Sequence, residues 1–151
     1  MTQKTPVSLF NSTLHELIDD VKFLDKDNQN LHRFKDSLDI LKVNVRLYLN
    51  LYRKYILTDE NRFNIFQENE TFFLNNNYEE YTHNREHFEI MINLKNLWNK
   101  ITDDNHQKIF NYFKILTYYS DQDLGINTEL EIKRVNSLYL SNADGKKNLN
   151  I

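Results

Sequence analysis

Along most of this chain large apolar residues return every three or four positions, the spacing that lines one face of an α-helix. The first stripe is Phe10, Leu14, Leu17, Ile18, Val21 and Leu24, and Thr5 followed by Pro6 supplies an N-cap and a first helical residue. The polar run Asp25 to Asn28 reads as a turn, with Asp27 or Asn28 capping a second stripe over about 28–42, Leu31, Phe34, Leu38 and Leu41. A third stripe holds Val45, Tyr48, Leu49, Tyr52, Tyr55 and Ile56, thickened by Leu47 and Leu51, and predicts an enclosed central helix. Thr58 to Glu60 can cap a short further helix through Phe63 and Phe66, or the chain can run as one helix over 45–67.

Between 67 and 84 the periodicity fails. Phe72, Phe73 and Leu74 form an apolar knot before three asparagines, and Tyr78 and Tyr81 stand among acidic residues. The expectation there is a surface connection pinned by its aromatic rings. Helical spacing returns over about 84–101 with Phe88, Met91, Leu94, Leu97, Trp98 and Ile101, and again over 104–119 with Ile109, Phe110, Phe113 and Leu116. Thr102 or Asp103 caps the latter, and so short a connector predicts an antiparallel helical hairpin. From 121 to 140 the apolar positions fit a helix or a strand equally. Beyond 141 apolar content is low. The pattern therefore predicts one all-α domain, a compact bundle of five or six amphipathic helices within 1–120, and a weakly specified extension over 121–151 with a flexible tail from about 141.

Composition narrows what such a bundle can do. Among 151 residues there are two glycines, one proline and no cysteine. Glycine-rich phosphate loops and primed hairpin turns need positive φ and lack the material here. Disulfides, thiolate metal sites and thiol nucleophiles are excluded outright. Alanine occurs once, so the 40% hydrophobic fraction consists of large side chains that each bury considerable area. Asparagine is the commonest residue at 22, as expected of an AT-rich coding sequence. No run approaches the ~20 apolar residues that cross a bilayer, which predicts a soluble, unsecreted chain in the cytoplasm with no membrane partner.

Several stretches together resemble a family of small, uncharacterised helical proteins encoded by large DNA viruses of algae and other protists. They are Leu9-Phe10-Asn11 with Leu14 and Leu17 to Val21, Leu41 to Asn44, Phe72 to Leu74 with Tyr78, Leu94-Lys95 with Leu97-Trp98, and Ile109 to Leu116. The likeness spans about 9–120. It implies a helical fold and a viral setting, host cytoplasm or virion, and transfers no catalytic residue.

Candidate chemistry is sparse. His83 and His87 have the four-residue spacing of metal ligands on one helical face, but Glu86 and Glu89 fall elsewhere on the turn and no third ligand joins them. Glu16, Asp19 and Asp20 alternate with Leu17, Ile18 and Val21, which puts them on a solvated face rather than in acid-base work. The expectation is therefore no catalytic residue, no metal, no cofactor and no enzymatic role. What remains is surface recognition: Arg46, Tyr48, Tyr52, Arg53, Lys54, Tyr55, Phe72 and Phe73 are the interaction candidates. Interfaces favour aromatics and arginine, so another protein or a second copy of the chain is the expected partner. The alternative is nucleic acid at the basic and aromatic 42–55 segment, where Lys42 joins these cations. The net charge of −3 counts against that alternative.

Overall fold

A computed structural model of the chain describes residues 4–75 and 88–149. Among them are eight α-helices and no strand: α1 (Pro6–Leu24), α2 (Gln29–Ser37), α3 (Leu47–Leu51), α4 (Asp59–Phe66), α5 (Thr71–Leu74), α6 (Glu89–Leu97), α7 (Asp103–Asp123) and α8 (Thr128–Leu149). The all-α expectation holds. The count exceeds five or six because the central region breaks into short pieces and the C-terminal region adds α8.

Helix ends follow cap chemistry. The hydroxyls of Thr5, Thr58 and Thr102 accept from the backbone N–H groups of Ser8, Asn61 and Asn105, and the Asn28 side chain accepts from Asn30 and Leu31. Each satisfies a donor that the first turn leaves without an intrahelical partner. The second stripe stops being α-helical at Ser37 and tightens into a 3-10 turn, Leu38–Lys42. The third is α-helical only over Leu47–Leu51, then widens into a π turn, Tyr52–Ile56, closed by Leu57 N–H donating to the Tyr52 carbonyl at 2.8 Å. Extended backbone at Thr58 then separates it from α4, so no single helix covers 45–67.

Two long helices, α1 and α7, pack along one another. Helix α2 leans on α1 and α6, α4 lies between α7 and α8, and α5 touches α4 and α6. The expected hairpin of the sixth and seventh helices gives way to this arrangement: a 3-10 turn at Trp98–Lys100 and extended Ile101 redirect the chain, and α7 lies chiefly against α1.

The core is unusually aromatic. Phe10, Phe34, Phe88, Phe110, Phe113 and Trp98 are buried, and Phe72 and Phe73 lie at its centre rather than on a surface connection. The Phe73 ring stacks on Trp98 at 4.2 Å and meets Phe72, Phe110 and Phe113 edge-on at 4.7, 5.2 and 5.3 Å. Edge-on ring pairs contribute about 0.5–1.5 kcal/mol each beyond the area they bury. The physical reason for the correction is simple: a four-residue helix carrying two phenylalanines can turn both inward where a looser connection could not.

Candidate interaction surface

The eight interaction candidates separate into three environments. Tyr48, Tyr52, Phe72 and Phe73 are core residues. Tyr52 shares a hydrogen bond with the Thr117 hydroxyl at 2.7 Å and donates toward the Phe113 carbonyl, which satisfies its polar end inside α7. Tyr55 is half-buried with its ring edge-on to Phe88 at 5.6 Å. Enclosed rings of this kind stabilise the bundle and offer little surface to a partner in this conformation. Lys54 is exposed, its ammonium 5.0 Å from the Tyr55 ring centroid.

Arg46 and Arg53 converge on α7. Arg46 donates to both oxygens of Asp123, at 3.1 and 2.6 Å, and Arg53 reaches Asp123 Oδ2 and the Ser120 carbonyl at 3.1 and 2.9 Å. Nearby, Arg62 of α4 forms a buried two-pronged pair with Asp121, at 2.6 and 2.9 Å, and the Thr128 hydroxyl donates to the same carboxylate at 2.8 Å. The cause lies in α7 itself. A helix C-terminus carries partial negative charge, two carboxylates in its last turn aggravate it, and that turn contains no basic residue. Three arginines from the 46–62 segment supply the missing positive charge. The hydrogen bonds from Arg46 hold the Asp123 carboxyl below its ordinary range, with Arg53 adding to the effect.

Sequence reasoning singled out Arg46 and Arg53 but passed over Arg62, Asp121 and Asp123. The available signal was Asp121-x-Asp123 at the end of a strong helical stripe, where anions call for cations from elsewhere.

Exposed aliphatic side chains stand among polar ones in the two segments that the Arg46–Asp123 pair joins. The turn before α3 exposes Ile40, Val43 and Val45, with Val43 90% exposed, and the side-chain amide of Asn11 in α1 donates to the Val45 carbonyl at 2.9 Å. On the other side of the pair, the connection between α7 and α8 exposes Leu124 and Ile126, and Leu130 follows in the first turns of α8. Single exposed aliphatics are ordinary; contiguous groups of them are the material of docking surfaces.

A cavity of about 30 Å³ in the core is lined by Phe10, Leu14, Phe34, Tyr52 and Met91 among others, and is too small for any organic ligand. Two adjoining grooves of about 180 and 310 Å³ between α1 and α7 share Asp20, Lys108 and Tyr112. There the Tyr112 hydroxyl donates to Asp20, and partial burial together with that carboxylate keeps it protonated well above the ordinary tyrosine range. Asp19 pairs with Lys35 at 2.9 Å, so the acidic cluster of α1 makes ion pairs and hydrogen bonds on an exposed face. His83 and His87 lie outside the described residues. Among the described residues no group of three or more His, Asp or Glu converges as a metal site, and no helix is long and apolar enough to cross a membrane. No protein family, curated protein or solved structure matches this chain.

Proposed function

We propose that this chain is a non-enzymatic protein-interaction module that docks a partner protein on the exposed aliphatic side chains of the two segments that the Arg46–Asp123 pair joins. The observation that carries the reading is the exposure of Val43, Val45, Leu124 and Ile126 on two turns tied together by that ion pair. Preorganised turns lose little freedom when a partner covers them, which favours recognition there. The ionic chemistry nearby is internal: Arg46 and Arg53 are engaged by Asp123, Arg62 by Asp121 and Arg134 by Asp59. Nucleic acid is the weaker reading, because two of the four cations of 42–55 are neutralised by Asp123 and the Tyr48 and Tyr52 rings are in the core. The likeness to proteins of large DNA viruses supports a viral setting, host cytoplasm or virion.

A photo-crosslinking residue at Val43 tests the reading when compared with one at exposed Glu129. Expected is a discrete protein adduct at Val43 alone, abolished by Leu124→Asp. Equal adducts at both positions, or none at either in native extract and with a second copy of the chain, refute it. Binding of the purified chain to DNA or RNA that weakens steeply with salt would favour the nucleic-acid reading instead.

A further inference from the structure

Helix α8 is attached differently from the other helices. It runs about 33 Å at the usual rise per residue, while α4, its main support, runs about 12 Å. Val135 is fully buried, yet among the described residues it stands apart from the contiguous apolar core formed by α1 to α7. One turn further along α8, the Tyr139 ring stacks on Phe63 of α4 at 5.1 Å. Polar clasps complete the seat. Arg134 makes a two-pronged pair with Asp59, at 3.0 and 2.7 Å, and Thr128 donates to buried Asp121.

The connection into α8 is equally distinctive. Gly125 has φ +70°, its N–H donates to the Gln122 carbonyl, and Ile126 N–H donates to the Asp121 carbonyl. This is the Schellman end of a helix, which a glycine closes cheaply. The motif normally adds an apolar contact between the residue after the glycine and the fourth-last helical position. Here that position is Ser120, followed by Asp121, both polar, and Ile126 remains exposed, as do Leu124 and Leu130.

We propose that α8 exchanges between two copies of this chain, each placing its α8 on the α4 face of the other, with Gly125 as the hinge. The seat, Asp59 and Phe63 on α4 with Asp121 at the end of α7, recognises α8 through the same contacts whichever chain supplies it. The closed hinge leaves Leu124, Ile126 and Leu130 in water, and opening it lets α7 run straight into α8 as a rod on the order of 70 Å. Two such rods crossing at their hinges cover one another's exposed aliphatics, an apolar gain that the closed monomer lacks. Hinge loops as short as this one are where elements exchange between copies. The inference deepens the proposed function by naming a second copy as a partner. It rests on that reading only for what covers Leu124 and Ile126.

The chain has no cysteine, so Phe63→Cys with Tyr139→Cys gives two unique thiols that a short bis-maleimide can join. Joined within a chain they leave a monomer on a denaturing gel; joined between chains they give a covalent dimer. Gly125→Ala meets no atom within 4 Å of the added methyl, so it acts through φ alone. Alanine disfavours the left-handed turn and favours a straight helix, raising the interchain fraction by roughly tenfold. Sedimentation of the otherwise unmodified chain and of G125A follows the same equilibrium without engineered thiols. Interchain product that grows with concentration and rises in G125A, matched by a heavier sedimenting species, supports exchange. Intrachain product alone in both backgrounds, or a dimer unmoved by G125A, overturns it. Including Val43→Asp separates the two readings: it removes docking at the apolar turn but leaves α8 exchange intact.

Discussion

Replacing Asp121 by Ala should be among the most damaging single changes in this protein. Its carboxylate receives both guanidinium prongs of Arg62 and the Thr128 hydroxyl, and the side chains of Arg62 and Asp121 are only 8% and 2% exposed. Truncation leaves the guanidinium buried without a counter-charge, a loss of about 3–5 kcal/mol. Thr128 is left with an unsatisfied buried hydroxyl, adding about 1 kcal/mol or more. Against a total stability of about 5–15 kcal/mol, this approaches global unfolding for a weakly stable chain. Urea unfolding followed by far-ultraviolet circular dichroism measures it. With a slope of about 2 kcal/mol per molar urea, the midpoint should fall by roughly 2–3 M. Arg62→Met combined with Asp121→Leu removes both charges and fills their space, so it should be far milder than D121A. The reasoning fails if D121A costs less than about 1 kcal/mol, or if the double variant is as unstable as the single one.

Four further outcomes are expected. Because Arg46 and Arg53 depress the Asp123 carboxyl below its ordinary 3.8, its contribution is complete above that value and is lost as pH falls through the lowered folded-state value. Thermal melts of Asp123→Asn should therefore lose part of the acid-limb slope, and an unchanged limb would contradict the pairing. Burial, reinforced by the Lys35 ammonium 3.1 Å from Nδ1 and opposed by Asp19 and Asp39, holds the His15 imidazole below 6.5. The unfolded chain thus takes up that proton first, stability declines as pH falls through 6.5 toward the lowered folded-state value, and His15→Gln should flatten that decline. Phe73→Ala should cost about 3–5 kcal/mol by chemical denaturation, while Phe23→Ala, on a side chain 70% exposed, should stay within about 0.5 kcal/mol. Thr102→Ala should remove about 1 kcal/mol through the lost cap of α7, measured the same way.

The sequence pattern located the helices whose apolar stripe is long and regular. Helix α1 starts at Pro6 and ends at Leu24 as the stripe and Thr5 cap require, and Phe10, Leu14, Leu17, Ile18 and Val21 are all buried. Threonine caps at 58 and 102 were equally readable because their chemistry is local. The π turn at Tyr52–Ile56 and the 3-10 turn at Leu38–Lys42 were not, since both keep the three-to-four spacing while changing the hydrogen-bond ladder. Phe72 and Phe73 were misplaced because four residues are too few to show a period. The 121–140 segment read ambiguously because α8 buries a narrow strip, and Leu130, Leu138 and Leu140 remain exposed around it. At the candidate surface, arginines were visible in sequence as cations and Asp121 and Asp123 as anions at a helix end, but which cation meets which anion is set by tertiary contact.

Trp98 is the one tryptophan of the chain, sandwiched between Phe73 and the imidazole of His106, whose ring lies 4.0 Å away at 13°. Its indole emission therefore reports the junction of α5, α6 and α7, and is blind to events on the far face of α4. Helicity lost without a change in that emission would time the departure of α8 separately from melting of the interior, giving one molecule two independent clocks.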